Sequence, residues 1–506
     1  MKTNQITIIT LLLTLYFINI LDAQTVLNHQ HSDNQRYPSI CKLSNGNLVV
    51  LWHSDVSDSN DIKMGIFTPN LNPIYDYDLT VSNNLHPSSF YKYCASSEDS
   101  FFIVIYSKQR EPGSDNYDVF IKKYDNYGNV LVDEIRVNQD TISHFHACPV
   151  VIDESNNIIF VVICRHIGDD PWERDYYLIH YDYNLNVILS EVHIYECDGS
   201  SGGYFDFAIL SESKLMATCH HEYTFYHLTD IRARHFNYDG TDQSEIFHVS
   251  TINGGPQFSP DIITVPGEGV LIAWAGVTAD EERAVWGRRY DTDGFPIDNG
   301  EIILSYPGDY TEGLYQVPNA AFDSINNIYA ICWDKDPGNP FRRFKPYIRF
   351  FNRELFPITD TIPLGEYRGF HNSRPKCLYL NPNTIFACWT PWIDDDVERE
   401  VLGDIIDTQT DITGPTEHQP TFILYQNYPN PFNERTIIEY QLHKSSQIKI
   451  DIYDILGRHV KTLLDIIQQA GYHQVRWDAK DKSTGIYLYK IQIGYSSETK
   501  KMILLR

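Results

Sequence analysis

The chain has 506 residues, which is longer than one compact domain usually is. It carries 67 Asp and Glu against 40 Lys and Arg, a formal net charge of −27, so nucleic acid and anionic lipid surfaces repel it and no nucleic-acid partner is predicted. Its 35 Tyr and 25 Phe favour strands, and its composition excludes a disordered chain, a collagen-like chain and a small disulfide scaffold.

The first segment is typical of a signal peptide. Lys2 precedes an apolar run over residues 6–20, and small Ala23 follows that run. A short basic region, an apolar stretch and a small residue at the cut site direct export, so we expect residues 1–23 to be removed. The alternative is an N-terminal membrane anchor. No later apolar run approaches the roughly 18 residues that a spanning helix needs, so no membrane span is predicted in the mature chain.

A four-strand pattern recurs from residue 24 to residue 410, at intervals of about 50 to 60 residues. The most apolar strand of each copy covers residues 47–52, 101–106, 158–164, 214–219, 269–274, 327–333 and 384–389. Four-stranded repeats of this period, with no helical pattern between them, are typical of propeller blades. We therefore predict an all-β fold in which residues 24–410 form a seven-bladed β-propeller.

The last copy of the pattern stops after its third strand, at residues 399–407. The mature N-terminus contains residues 25–28 (TVLN), which resemble the fourth-strand residues 135–138 (IRVN) of the second copy. We expect residues 24–30 to add the missing outer strand and so to close the ring.

The blade pattern also resembles a repeat family of secreted bacterial propellers. In that family a VVxWxS strand is followed by the pattern YDxxGNxV and then VN, and the resemblance covers residues 24–410. The family is structural, and many of its members have no assigned activity.

The tail differs from the rest of the chain. Residues 411–420 are polar and contain Pro and Gly, as a linker does. Residues 421–506 contain 12 Lys and Arg against 8 Asp and Glu, so the acidity lies in the propeller. Alternating strands separated by turns predict a small Ig-like β-sandwich over residues 421–506.

This tail resembles the type A C-terminal sorting domain of the type IX (Por) secretion system. The residues that carry the resemblance lie in the motifs YPNPFN, YDILGR and GIYLYKI, and they are Tyr428, Pro429, Asn430, Pro431, Phe432, Gly457 and Gly485. The resemblance implies that a translocon and a sortase handle residues 421–506. It also implies a secreted protein or one on the outer cell surface of a Gram-negative bacterium. The alternative is an ordinary Ig-like binding module.

The long connections of the predicted propeller carry the candidate binding residues. Connections between blades, and between second and third strands, share one rim of a propeller, and long loops are where function concentrates. Aromatic rings beside carboxylates suit sugar binding. The candidates are Trp172, Tyr223, Tyr226, Trp392, Asp169, Asp170, Asp394 and Asp396. The alternative is a set of solvated loops whose aromatic rings pack against neighbouring blades.

Histidines from two adjacent blades form a second group. His144, His146, His166, His220 and His221 fall on the same sector and could hold zinc or copper. No spacing among them is a known metal signature, so the alternative is a set of scattered surface histidines, and no cofactor is predicted.

We therefore predict a secreted cargo protein whose propeller is a non-catalytic binding module for a glycan or a surface protein. The alternative is a polysaccharide-active hydrolase or lyase on the same rim, and no catalytic residue is assigned. The nine Cys are expected to be buried free thiols. If the turn at residues 381–384 is symmetric, however, Cys377 faces Cys388 and could form a disulfide with it.

Overall fold

The computed structural model describes most of the chain outside the N-terminal segment and several connections. The described residues are 25–29, 34–56, 59–85, 91–111, 114, 116–166, 174–197, 204–223, 228–250, 255–277, 283–298, 300–305, 318–335, 345–364, 374–390, 400–408, 422–442, 446–455, 458–469, 471–493 and 496–505. Among them, no helix is long and apolar enough to cross a membrane. The predicted signal peptide and the linker at 411–420 lie outside this set.

Seven antiparallel sheets of four strands make up the first part of the chain. The first strand of the chain is β1 (Thr25–Val26). Blade 1 contains β2 (Asn34–Lys42), β3 (Leu48–Val56), β4 (Ser59–Phe67) and β5 (Leu79–Leu85). Blade 2 contains β6 (Lys92–Ser96), β7 (Phe101–Gln109), β8 (Tyr117–Asp125) and β9 (Val130–Arg136). Blade 3 contains β10 (Phe145–Asp153), β11 (Ile158–His166), β12 (Arg174–Tyr181) and β13 (Val187–Cys197).

Blades 4 to 7 repeat this order. Blade 4 contains β14 (Phe205–Ser211), β15 (Lys214–Tyr223), β16 (Leu228–Asn237) and β17 (Phe247–His248). Blade 5 contains β18 (Gln257–Val265), β19 (Gly269–Val277), β20 (Arg283–Tyr290) and β21 (Ile302–Ile303). Blade 6 contains β22 (Asn319–Asp323), β23 (Ile328–Lys335), β24 (Lys345–Phe351) and β25 (Ile362–Pro363). Blade 7 contains β26 (Lys376–Asn381), β27 (Thr384–Trp389), β28 (Leu402–Asp407) and, as its outer strand, β1.

The blades form a closed ring. The first strand of each blade lies beside the first strand of the next, and β2 of blade 1 lies beside β26 of blade 7. Hydrophobic clusters fill the spaces between neighbouring blades. The predicted seven-bladed propeller is confirmed.

Burial explains why the second strand of each blade is the most apolar. Residues 48–52 of β3 are all fully buried, because the strand has neighbours on both sides in its own sheet and a blade packed on each face. Four Trp occupy equivalent positions near the ends of second strands and are likewise buried: Trp52, Trp274, Trp333 and Trp389.

Side chains of the first strands also join consecutive blades by hydrogen bonds. Asp206 Oδ2 accepts a hydrogen bond from the backbone N–H of Ile262 in the next blade, at 3.1 Å. Asp261 repeats the contact one blade further on, where its Oδ2 accepts from the N–H of Ala320 at 2.9 Å. Asn319 Oδ1 then accepts from the N–H of Cys377 at 2.9 Å. These contacts fix the angle between blades 4, 5, 6 and 7 near the axis.

The tail forms a two-sheet β-sandwich, as the Ig-like prediction requires. One sheet contains β29 (Phe422–Leu424), β30 (Arg435–Leu442) and β33 (Gly471–Asp478). The other contains β31 (Ser446–Asp454), β32 (His459–Gln468), β34 (Gly485–Ile493) and β35 (Ser496–Leu504). The two sheets enclose one apolar core in which Trp477 and Tyr489 are fully buried.

The prediction that Cys377 lies opposite Cys388 is wrong. Cys377 lies opposite Ala387, and Cys388 lies opposite Lys376. The reason is an irregularity in the register between Tyr379 and Asn381, which shifts the hairpin by one position. All nine Cys belong to the described residues and are free thiols.

Candidate functional site

The sheet topology places one set of strand ends on the same rim of the ring. Because each blade is an antiparallel meander, its first strand starts where its second strand ends and where its third strand starts. Seven of the eight candidate binding residues belong to connections outside the described part of the chain. The candidates outside the described residues are Trp172, Tyr226, Trp392, Asp169, Asp170, Asp394 and Asp396. The backbone of Tyr223 ends β15, and its side chain is also outside that set.

At the inner edge of this rim, the described side chains are cationic and aromatic. They come from blades 1, 2, 3, 4 and 7, and most precede or begin a first or third strand. We call them the mouth cluster: Tyr37, Tyr91, Lys92, Arg174, Tyr204 and Arg374.

Arg374 links blades that lie on opposite sides of the ring. Its guanidinium carbon is 4.3 Å from the centroid of the Tyr37 ring and 5.5 Å from that of the Tyr204 ring. Nη2 donates a hydrogen bond to the Tyr204 hydroxyl at 2.8 Å, although the two residues are 170 positions apart. The backbone N–H of Arg374 donates to fully buried Asp334 at 3.0 Å, which fixes where its side chain starts.

Arg174 provides a second, more deeply buried cation. Its side chain hydrogen-bonds the Tyr91 hydroxyl, and burial raises the pKa of Tyr91, so the phenol is neutral at pH 7. Arg174 is only 7% exposed, and within the described part of the chain its Nε has no hydrogen-bond partner. Among the described residues, the groups that act on the charge of Arg174 are Cys164, Tyr91 and Tyr176, and the guanidinium of Arg374 donates to the Tyr204 hydroxyl.

A nearby histidine shows the effect of the positive charge. His53 is buried at the end of β3, and burial together with the charges of Lys92 and Arg36 lowers its pKa to about 3. His53 is therefore neutral at pH 7. Lys92 and Arg36 thus place positive charge beside His53 in a chain whose net charge is −27.

Three of the five predicted metal-ligating histidines come together beside the mouth cluster. The ring nitrogens of His144, His146 and His166 all lie within 4.8 Å of one another. Nε2 of His144 is 3.1 Å from Nε2 of His146, and the ring centroids of His144 and His166 are 4.3 Å apart. The ring of His146 lies 4.3 Å from that of Tyr91. We call these three residues the histidine triad.

The hairpin of β10 and β11 explains the triad. His146 lies opposite Cys164, and the backbone N–H of His166 donates to the carbonyl of His144 at 3.0 Å. His220 and His221, by contrast, follow each other on β15 and are not part of the triad. Nδ1 of His220 accepts a hydrogen bond from the backbone N–H of Tyr204 at 3.3 Å.

Sequence reasoning did not find the mouth cluster. Its six residues are spread over five blades, and only Tyr91 and Lys92 are adjacent, so no segment of the sequence contains a basic run. The available signal was their position: Tyr91, Tyr204 and Arg374 each stand just before a first strand, and Lys92 and Arg174 each begin a strand. Aligning the blades on their first strands would have placed these residues on one rim.

In the tail, the segment containing the sorting motif holds the last strand of the chain. The backbone N–H of Phe432 donates to the carbonyl of Ile503 at 2.9 Å, and Asn430 Oδ1 accepts from the N–H of Ile503 at 2.8 Å. Tyr428 pairs with Ile437, and the bonds preceding Pro429 and Pro431 are cis. Gly485 begins β34 opposite Leu504, whereas Gly457 lies outside the described residues.

Comparison with known families identifies this unit. Residues 426–505 match the model of the secretion system C-terminal sorting domain. The tail is a type IX sorting domain. The chain is accordingly a secreted or cell-surface protein of a Gram-negative bacterium, and the type IX secretion machinery handles it. No curated protein matches the chain.

Solved structures with similar folds include proteins of several kinds. A protein of unknown function from Dyadobacter fermentans DSM 18053 has 10% identity and a TM-score of 0.47, covering 76% of this chain and 97% of its own. A polysaccharide lyase of family PL25, an ulvan lyase, has 9% identity and a TM-score of 0.46, covering 76% and 96%. An α-L-arabinanase from Penicillium chrysogenum has 9% identity and a TM-score of 0.38, covering 77% and 99%. Similarity of this degree transfers neither an activity nor a substrate.

Proposed function

We propose that the propeller of this secreted protein binds an anionic glycan at the mouth cluster. The observation that carries the proposal is the pair Arg174 and Arg374. Both guanidinium groups lie beside tyrosine side chains at the inner edge of one rim, where Arg174 hydrogen-bonds Tyr91 and Arg374 hydrogen-bonds Tyr204. This arrangement is suited to a ligand that supplies the negative charge.

The chemistry of the cluster favours an acidic sugar over a neutral one. A guanidinium group binds a carboxylate or a sulfate through two parallel hydrogen bonds. The tyrosine side chains of the cluster add apolar ring surface and hydroxyl groups beside the two cations, as sugar-binding sites do. A uronate-containing or sulfated polysaccharide presents both features at every repeat.

Binding of the mature full-length chain to charged and neutral polysaccharides tests the proposal. We expect binding to polygalacturonate or to a sulfated galactan, weakening as salt is added, and no comparable binding to dextran. Arg374→Gln and Arg174→Gln should each weaken binding by about tenfold to a hundredfold, because a charge-assisted hydrogen bond contributes about 1.5–3 kcal/mol.

The matched control is Arg353→Gln. Arg353 lies in a turn between third and fourth strands, on the opposite rim, where it forms an ion pair with Glu268 at 2.6 Å. This variant should bind as the wild type does. Equal binding by all three variants, or equal binding of acidic and neutral glycans, would contradict the proposal.

A second candidate is cleavage of the same glycan by a polysaccharide lyase. The observation that favours it is the hydrogen bond between the Tyr91 hydroxyl and Arg174. Elimination next to a uronate needs a cation to neutralise the carboxylate and a nearby group that exchanges a proton, and these two side chains are of those types. Ultraviolet absorbance of an unsaturated uronate product, measured with the binding assay, distinguishes cleavage from binding alone.

A further inference from the structure

We propose that the histidine triad, His144, His146 and His166, is a binding site for one zinc ion. This proposal does not depend on the proposed glycan binding, because zinc can be measured without any glycan present. The triad consists of three imidazole side chains. Its side chains come from β10, β11 and the residue before β10, and one ligand atom of each lies within 4.8 Å of the others.

The distances suit a tetrahedral metal. Zinc binds imidazole nitrogen at about 2.0–2.1 Å, so two nitrogens on one tetrahedral ion are about 3.3 Å apart. The Nε2 atoms of His144 and His146 are already 3.1 Å apart, and the third ring lies within 4.8 Å. Binding one ion requires the side chains to move so that all three nitrogens approach it.

The triad lies in a partly buried environment with an aromatic wall. His146 is 7% exposed, and its Nδ1 is buried with no hydrogen-bond partner among the described residues. The ring of Tyr117 packs against His144 and His146, at 5.2 and 5.7 Å, and forms one wall of the site.

The three imidazole nitrogens favour some metal ions over others. Three imidazoles bind zinc, copper or nickel, whereas calcium and magnesium prefer oxygen ligands. With three protein ligands, a tetrahedral ion keeps a fourth position for water or an anion. The ion would then add positive charge directly beside Tyr91 of the mouth cluster.

The test uses the mature full-length chain without a polyhistidine tag, stripped with a chelator and titrated with Zn²⁺ alone. We expect one equivalent of zinc per chain, measured by calorimetry and by metal content after gel filtration. Replacing zinc with Co²⁺ should give the visible absorption bands of tetrahedral cobalt. His144→Gln and His166→Gln, both at partly exposed positions, should each weaken zinc binding by more than about 100-fold, because losing even an outer-shell contact costs about 10- to 100-fold.

The control is His248→Gln. His248 lies on the outer strand of blade 4, is more than half exposed and contacts Asp230 at 2.6 Å, so this variant removes a histidine next to a carboxylate while leaving the triad intact. It should bind zinc as the wild type does. Absence of stoichiometric zinc, or equal zinc binding by all three variants with circular dichroism spectra unchanged, would overturn the proposal. Glycan binding that persists in chelator with zinc binding absent would overturn the zinc site alone.

Discussion

Oδ1 of Asn28 accepts a hydrogen bond from the backbone N–H of Val401 at 2.8 Å, across 373 residues. The N–H of Leu27 donates to the carbonyl of the same Val401, also at 2.8 Å. Three other blades contain the same pair of contacts between a residue after the outer strand and a residue of the third strand. The pairs are Asn138 with Val119, Ser250 with Ile231 and Ser305 with Val285. The N-terminal segment thus completes blade 7 by the same contacts that complete the other blades.

Removing this closure should destabilise the whole propeller. Leu27 is 1% exposed and packs in the cluster between blades 7 and 1, so Leu27→Ala should lower the stability by about 2–5 kcal/mol. Asn28→Ala should cost about 1–3 kcal/mol, because the N–H of Val401 loses its partner. Val26→Ala, at an exposed position of the same strand, is the control and should change stability by less than about 0.5 kcal/mol. Calorimetric unfolding measures all three, and equal midpoints would contradict the closure.

Asp206 should make the propeller less stable as the pH rises from about 4 to about 8. Burial, together with the charge of Asp261, raises the pKa of Asp206 to about 8 in the folded protein. Between these pH values the folded chain holds a proton that the unfolded chain has released, so raising the pH favours unfolding. This group contributes at most about 1.4 kcal/mol per pH unit. The melting midpoint of Asp206→Asn should depend less on pH in this interval; an unchanged dependence would rule out this role for Asp206.

His180 should have the opposite effect in acid. Its ring is 4% exposed and packs edge-on against Phe160 at 4.8 Å, and burial lowers its pKa to about 4. The unfolded chain takes up this proton near pH 6.5 and the folded chain only near pH 4, so the stability contributed by neutral His180 is lost as the pH falls through this interval. We expect His180→Leu to lose less stability than the wild type between pH 6.5 and 4.5. Equal losses of stability in the two proteins would show that His180 does not contribute to the loss of stability in acid.

The fold of the tail should be required for export. Phe432 is 2% exposed, and its ring centroid lies 5.6 Å from that of Trp477 in the sandwich core. Phe432→Ala should destabilise the sandwich by about 3–5 kcal/mol. It should also reduce the fraction of the chain that reaches the surface or the medium of a host with a type IX secretion system. Ile467→Ala, at a position 71% exposed and outside the sorting motifs, is the control and should be exported normally. Normal export of both variants would show that export does not depend on the sandwich core.

The propeller could be predicted because burial on both faces produces a simple pattern. A second strand such as β3, enclosed by neighbouring strands and blades, must be continuously apolar, and seven such runs at a regular spacing specify seven sheets. The cross-strand partner of Cys377 could not be predicted in the same way. A one-residue irregularity in the hairpin changes its partner and leaves no signal in the composition of the strands.

Only the part of the site that is formed by a single hairpin could be predicted. His146 and His166 belong to two paired strands, and His144 directly precedes the first of them, so their proximity follows from the register of a single hairpin. The contact between Arg374 and Tyr204 instead depends on the width of the ring at its axis, because the two residues come from blades 7 and 4. A single sequence contains no measure of that width.

The most direct test of the central claim is a crystal structure of the mature chain soaked with an acidic oligosaccharide such as a trigalacturonate. We predict electron density for the sugar at the mouth cluster, with a carboxylate within hydrogen-bond distance of the Arg174 or Arg374 guanidinium. Sugar density confined to the outer strands or to the opposite rim, with both guanidinium groups unchanged, would contradict the account.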